Sequence, residues 1–308
     1  KKARGNRKAA VLSQAKYESI YHAIQELNVA SAYPIQKLCE IAEIQRSSYY
    51  KWLNRSENAN ERINNGLIPR IKEAYQERNG ILGYRQMTLK INREYQLAVN
   101  HKRIYRLMKF LHLQSVCRRK RKKYAHSTPE ITAENILNRK FTASRFGDKW
   151  LTDVTEMKCG LDQKAYCSAI LDLGDKSIVS FVIGHSNNNE LVFKTFDMAR
   201  EKYPGTTPLF HSDRGFQYTS KIFHKKLVDA GMTQSMSRVS KCIDNGPMEA
   251  FWGMMKSEMY CLKKFHSYCE LEAAIHEYIE YYNNHRYQKR LNGMAPMEYR
   301  QYLLNTAA

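Results

Sequence analysis

Lys149-Trp150-Leu151-Thr152-Asp153-Val154-Thr155-Glu156-Met157 is rich in β-branched and aromatic residues and reads as a strand. Trp150, Thr152, Val154 and Glu156 fall on one face, and Leu151, Asp153, Thr155 and Met157 on the other. Asp153 thus shares an otherwise apolar face. Further on, Thr207-Pro208-Leu209-Phe210-His211-Ser212 is a short apolar run that breaks at Asp213-Arg214-Gly215, a buried strand giving way to a glycine turn. Asp213 therefore stands at a strand's carboxyl end. In Asp244-Asn245-Gly246-Pro247-Met248-Glu249, Asn-Gly is a turn and Pro247 suits the first helical position, so Glu249 projects from a helix's first turn.

Three carboxylates of this kind suit a pair of divalent metals. Glu249 follows Asp213 by 36 positions, and Lys256 follows Glu249 by seven on the same helical face. Gly253 lies between them and removes any side chain that would block an approaching backbone. A carboxylate, a gap and a cation on one face suit a metal-bound phosphate. Singly, each residue has a plainer reading: Asp213 caps a turn, Glu249 favours the helix's positive end and Lys256 is solvated. Asp172 and Glu156 are rival acids, but Asp172 has no matching motif and Glu156 points away from the Asp153 face. Ser212, beside Asp213, lacks the surroundings of a serine nucleophile and is expected in a solvent-facing or turn role.

Around these acids the pattern predicts an antiparallel meander of strands 149–157, 165–172 and 177–184. Helix 188–202, strand 207–210, helix 219–230, a short strand near 232–235 and the Glu249 helix follow. Upstream the pattern is helical. Tyr17, Ile20, Tyr21, Ile24 and Leu27, then Leu38, Ile41 and Ala42 after Pro34, make core stripes. Ile44 to Leu53 is like the recognition half of a helix-turn-helix, with Ser47 or Ser48 near the helix start, Arg46, Tyr49 and Lys51 exposed, and Glu43 where a turn usually takes glycine. A helical bundle with a basic face is the plainer alternative.

A second helical pair runs through residues 84–91 and 100–109. Asn100 is its N-cap, and Lys102, Arg103, Arg106 and Lys109 face away from the stripe of Ile104, Leu107, Met108 and Leu111. Arg118, Arg119, Lys120, Arg121, Lys122 and Lys123 form an unbroken cationic run suited to phosphates, or else a solvated linker. Residues 1–130 hold 27 basic and 10 acidic side chains, a net of +17, whereas the remainder carries +3. That imbalance points to a nucleic-acid partner bound mainly by the amino-terminal half. No run is long enough to span a membrane. The seven cysteines show neither Cys-x-x-Cys nor zinc-finger spacing, so a reduced compartment is expected and zinc is not.

Jointly, Trp150-Leu151-Thr152-Asp153-Val154-Thr155, His211-Ser212-Asp213-Arg214-Gly215-Phe216-Gln217-Tyr218 and Asp244 to Trp252 resemble the DDE transposases of the insertion-sequence-three family, relatives of retroviral integrases. In that family 35 residues separate the second Asp from the Glu, as here, and a basic residue follows the Glu by seven, as Lys256 does. Tyr282-Asn283-Asn284-His285-Arg286-Tyr287, with Leu291 and Pro296, looks like the family's closing segment. Gly246-Pro247 departs from the Ala and aliphatic residue common there, without removing an acid. The resemblance implies a ribonuclease-H-like catalytic domain, preceded by a helical, helix-turn-helix-type DNA-binding region and followed by C-terminal helices, in a multidomain α plus α/β chain.

The resemblance also implies two Mg²⁺ ions on Asp153, Asp213 and Glu249, with Mn²⁺ able to substitute. Arg214, Gln217, Lys241 and Lys256 are the expected DNA contacts near the site, with His211, His285 and Arg286 as weaker candidates. Tyr281, Tyr282 and Tyr287 are read as packing. The implied partners are double-stranded DNA, as element terminal inverted repeats and as target, and further copies of this chain in a homodimer or larger assembly. Because the chain starts at Lys1, an upstream fused helix-turn-helix or zipper segment is also expected. The expected setting is the bacterial cytoplasm, on the nucleoid.

Boundaries are expected at 1–56 and 57–126 for the two helical regions, 127–146 for a tether, 147–262 for the catalytic core and 263–308 for the C-terminal helices. Two other functions fit less well. A repressor with a defunct catalytic fold would not need intact acids in intact contexts, and a nuclease of RNA–DNA hybrids would not need paired sequence-reading helices.

Overall fold

The computed structural model describes residues 20–54, 58–117, 133–160, 163–238 and 242–307. It divides into two compact units, Lys1–Leu67 and Ile68–Ala308.

In the first unit, α1 (20–31), α2 (Ile35–Ile41) and α3 (Arg46–Leu53) close around Ile24, Leu38, Cys39 and Tyr49. The turn from α2 to α3 is a double-bonded helix stop: Ile44 N donates to Cys39 O at 3.0 Å and Glu43 N to Glu40 O at 3.1 Å. Such a stop needs a left-handed residue and ordinarily takes glycine, yet Glu43 occupies it at φ 53°. Glu43→Gly is therefore expected to stabilise this unit by roughly 0.5–1 kcal/mol in urea unfolding. A loss of stability would mean that the glutamate side chain outweighs its backbone strain.

Three expectations fail in this unit, the first being Leu27, which is 46% exposed instead of joining the core stripe. Tyr49 is not an exposed contact: it is 1% exposed, with its ring 6.2 Å from Tyr21 and 5.9 Å from Trp52, because its face of α3 turns toward α1. Ile41 is 80% exposed, and the neighbouring Cys39 takes the core place instead. Arg46 and Lys51 are exposed as expected, α3 starts at Arg46 with Ser47 and Ser48 in its first turn, and Tyr17 lies outside the described residues.

The second unit begins within α4 (Ala59–Glu77). There α5 (Tyr84–Glu94) packs on α6 (His101–Phe110), whose N-cap Asn100 accepts a bond from Lys102 N at 2.8 Å. Ile104, Leu107 and Met108 are buried, Lys102, Arg106 and Lys109 exposed, and Arg103 half-buried.

The sheet is built outward from the opening strand. β1 (Lys149–Cys159), β2 (Gln163–Asp172) and β3 (Ile178–Gly184) form the antiparallel meander. After α7 (Asn189–Lys202), β4 (Leu209–Ser212) pairs parallel with β1; after α8 (Lys221–Asp229), β5 (Thr233–Met236) pairs parallel with β4. The order is β3-β2-β1-β4-β5, with the helices supplying the crossovers that parallel pairing requires. Each of these elements lies within two residues of its expected bounds.

Alternation along β1 splits two cores. Trp150 faces α7 and α8, where the rings of Phe196, Phe210 and Phe223 lie 5.6–5.7 Å apart. Leu151 and Met157 face α9 (Gly246–Met255) and α10 (Tyr268–Asn284). Asp153 is thereby placed on the α9 side. Finally, α11 (Pro296–Ala307) is anchored by buried Arg300, which binds Asp175, Tyr203 and, at 2.6 Å, Ser177 Oγ. Residues 133–146, the described part of the expected tether, form no helix or strand and lie against the sheet, where Ser235 Oγ accepts bonds from Ile136 N and Leu137 N, each at 3.1 Å. Among the described residues no helix is long and apolar enough to cross a membrane.

Candidate active site

Asp153 sits in mid-strand opposite Ala169 of β2. Its Oδ1 accepts from Val154 N at 2.8 Å and its Oδ2 from the Trp252 indole at 3.2 Å. Trp252 comes from α9, three residues beyond Glu249, so the helix that carries one acid also orients another. Asp213 follows β4 directly, and its Oδ1 accepts from Gly215 N at 2.8 Å. A Cβ at Gly215 would lie 3.0 Å from that same oxygen and 3.0 Å from Gln217, so glycine is what lets the turn close. Glu249 is half-buried in the first turn of α9, where Pro247 stands at the helix start. Asn245 ties that start to β1 through a 3.0 Å bond to Thr152 O.

The acids are electrostatic neighbours. Burial, then the Asp213 charge, then that of Glu249, push the Asp153 carboxyl up to about 8. Burial also raises Asp213, against the Gly215 bond that lowers it. Among the described residues no three His, Cys, Asp or Glu side chains close into a finished ion cage. The donor set nevertheless fits a hard divalent cation: every donor is a carboxylate oxygen, and the repulsion that raises Asp153 is what such a cation relieves.

The remaining candidates divide sharply. Lys256 caps α9 and donates to Glu156 O at 3.1 Å. Arg214 is half-buried with its Nε on Ser237 O at 2.7 Å. Gln217 is a correction: it is 3% exposed and bonds Asn187, so it cannot meet DNA. His211 is another, being fully buried with its ring nitrogens 2.9 and 3.2 Å from the Ser235 and Ser237 hydroxyls; burial lowers its pKa to about 4 and keeps it neutral.

Arg286 is buried in an ion pair with Glu258, while His285 is exposed at the end of α10. Ser212 is 1% exposed, not solvent-facing, and donates to Asp213 O at 2.8 Å, in keeping with a turn role. Tyr282 is buried and Tyr281 and Tyr287 half-buried, as packing residues are. Lys241 and Arg118 to Lys123 lie outside the described residues.

Of the rival acids, Glu156 is exposed and pairs with Lys164 at 3.2 Å. Asp172 is a structural clamp that accepts from Gly147 N, Gly174 N, Asp175 N and the Trp150 indole. Sequence reasoning missed the roles of Trp252 and Asn245 in holding Asp153 and the start of α9. The indole's place at i+3 from Glu249 was a usable signal, whereas the bond of Asn245 to Thr152 O joins elements 93 residues apart and depends on long-range folding.

Three family models match parts of the chain. A model described as an HTH-like domain matches residues 62–121, and two described as integrase core domains match 143–242 and 249–304. The protein assigned as transposase InsK of insertion sequence element IS150 in Escherichia coli (strain K12) is 38% identical over 269 residues, 87% of this chain and 94% of that one. A transposase-like protein of Haemophilus influenzae is 39% identical over 221 residues, 71% of this chain and all of its own length. The magnesium-bound integrase catalytic core of HTLV-2 superimposes with a TM-score of 0.39 at 16% identity, covering 51% of this chain and 97% of that one, a likeness too loose to argue from.

The integrase core and the transposase relatives define a DDE-type polynucleotidyl transferase. The chain belongs to the DDE transposases of the insertion-sequence-three family.

Proposed function

We propose that this transposase binds the terminal inverted repeats of its element and catalyses two-metal-ion DNA strand cleavage followed by 3′-hydroxyl strand transfer, with Asp153, Asp213 and Glu249 as ligands. The observation that carries this reading is that acids borne on β1, the end of β4 and the start of α9 lie within electrostatic reach of one another, Asp153 being raised by burial and then by the charges of Asp213 and Glu249. Bound Mg²⁺, or Mn²⁺ in its place, would activate the attacking oxygen, stabilise the leaving oxygen and offset phosphate charge. The chain's own part is to hold its carboxylates still: Val154 N and the Trp252 indole fix Asp153, and Gly215 N fixes Asp213. The dry face around Leu151 and Met157 strengthens every charge interaction there.

In this reading the exposed cations of α3 and α6, with Lys241 and the Arg118 to Lys123 run, bind duplex DNA. Arg214 and Lys256 line the approach to the acids. Synapsis of two element ends calls for a dimer or larger assembly, working on the nucleoid in the cytoplasm.

The test is cleavage and joining on labelled duplexes carrying the element's ends, with Mg²⁺, Mn²⁺ or chelator. Metal-dependent joined products are expected; DNA binding with no cleavage in either metal would favour a repressor.

Cation binding has its own readout. A free ion at about 100 times its Kd adds about 2.7 kcal/mol to stability, roughly 5–10 °C for a unit of this size. Mg²⁺ is expected to raise the melting temperature in this way, and Asp213→Asn, which keeps an acceptor for Gly215 N, to abolish the shift. Equal shifts in both proteins would remove Asp213 from the ligand set.

A further inference from the structure

We infer that Arg139 and Arg238, gripped together by buried Asp244, form a receptor for a DNA backbone phosphate next to the scissile one, a contact that rests on the strand-transfer reading above.

Asp244 is fully buried and saturated. Its Oδ1 accepts from Arg139 Nε at 2.7 Å and Arg238 Nη2 at 2.9 Å, and its Oδ2 from Arg238 Nε at 2.9 Å, Arg238 N at 3.1 Å and Asn135 Nδ2 at 2.9 Å. One arginine would neutralise this carboxylate; the second leaves the cluster with a net positive charge. Both side chains remain open, at 45% and 47% exposure. Each guanidinium turns its Nε edge toward Asp244, which leaves both Nη groups of Arg139 and Nη1 of Arg238 without a hydrogen bond among the described residues.

Two fixed, half-exposed guanidiniums that share one counter-charge repel each other. An anion with several acceptor oxygens relieves that repulsion, and a phosphodiester matches the fork geometry. Because Asp244 already holds both side chains, little rotamer freedom is lost on binding.

Chain neighbours tie the pair to the elements that carry the acids. Asp244 precedes Asn245, whose amide bonds Thr152 O beside Asp153. Ser237, which precedes Arg238, accepts from Arg214 Nε at 2.7 Å, and Arg214 follows Asp213 directly. A purely structural role would need Asp244 satisfied but would not need a second open guanidinium.

The test is equilibrium binding of the full chain to a duplex of arbitrary sequence across a KCl series, since phosphate contacts ignore sequence. Loss of one phosphate contact lowers the slope of log K against log[salt] by about 0.9. The double variant Arg139→Gln, Arg238→Gln is expected to show that fall, with Kd about tenfold weaker near physiological salt. Asp244→Asn keeps both cations and should melt earlier with an undiminished slope. A double variant that melts earlier but keeps the wild-type slope overturns the inference.

The wild type gives a readout that no folding defect can blur: bound duplex should protect Arg139 and Arg238 from phenylglyoxal, read by mass spectrometry, and unprotected arginines on a bound complex would also overturn it. Metal-dependent cleavage by the wild type with neither effect defeats this inference alone. A wild type that binds no duplex defeats the strand-transfer reading with it.

Discussion

Glu249→Gln and Asp153→Asn each lower strand cleavage and joining by at least ~10³-fold, while duplex affinity stays within about threefold of wild type. The rate loss is large because a neutral amide is a poor ligand for a hard cation. In the metal-free protein, Asp153 is held up to about 8 by burial and by the two neighbouring carboxylates, an arrangement that costs stability until a cation offsets it. DNA affinity should survive because the net positive charge lies mainly in the amino-terminal half, far from these acids in sequence.

The two variants differ in stability. Asp153 accepts two N–H bonds, from Val154 and Trp252, and asparagine's single oxygen satisfies only one, at a cost of about 1–3 kcal/mol that lost carboxylate repulsion partly returns. Glu156→Gln is the control, since that acid is exposed and paired with Lys164. Single-turnover rates within tenfold of wild type for Glu249→Gln would remove Glu249 from the ligand set and leave it a helix-end charge.

Local rules made most of the catalytic fold legible. Alternation in Trp150 to Met157 placed Asp153 on the Leu151 and Met157 face, the break after Ser212 put Asp213 at a strand end, and Asn-Gly-Pro marked the start of α9. Each signal is short-range, which is why element bounds came within two residues. Burial of polar residues was the failure. Tyr49, His211, Gln217 and Arg286 carry polar atoms and sit in motifs, so each reads as a surface contact, yet each is buried with partners supplied by distant elements. Asp244 is the same case in reverse: it marks a turn in the sequence, and only the folded chain brings Arg139 to it across 105 residues.

Arg286→Met is the corresponding test of such a buried polar contact, and it is expected to cost about 3–5 kcal/mol, roughly 10 °C in melting temperature. Arg286 and Glu258 are each 9% exposed and bond bidentately, Nε to Oε2 at 2.9 Å and Nη2 to Oε1 at 2.6 Å, with the Tyr278 hydroxyl adding a 2.9 Å bond to Oε2. Removing the arginine leaves a buried carboxylate with one neutral donor, so the penalty is the stranded charge rather than the pair's net worth. Glu258→Leu added to Arg286→Met should therefore recover most of the loss, a coupling that a double-mutant cycle reads directly.

The effect should reach the active site by a defined route. Glu258 lies in a π-helical turn, Lys256–Tyr260, that continues α9 and is closed by Cys261 N on Lys256 O at 2.7 Å. Releasing that turn loosens Lys256 first and the far end of the Glu249 helix with it. Joining activity measured well below the new melting temperature should thus fall in Arg286→Met and return in the double variant. A single variant that melts within a degree of wild type would show that the pair is solvated in solution and that the π turn holds without it.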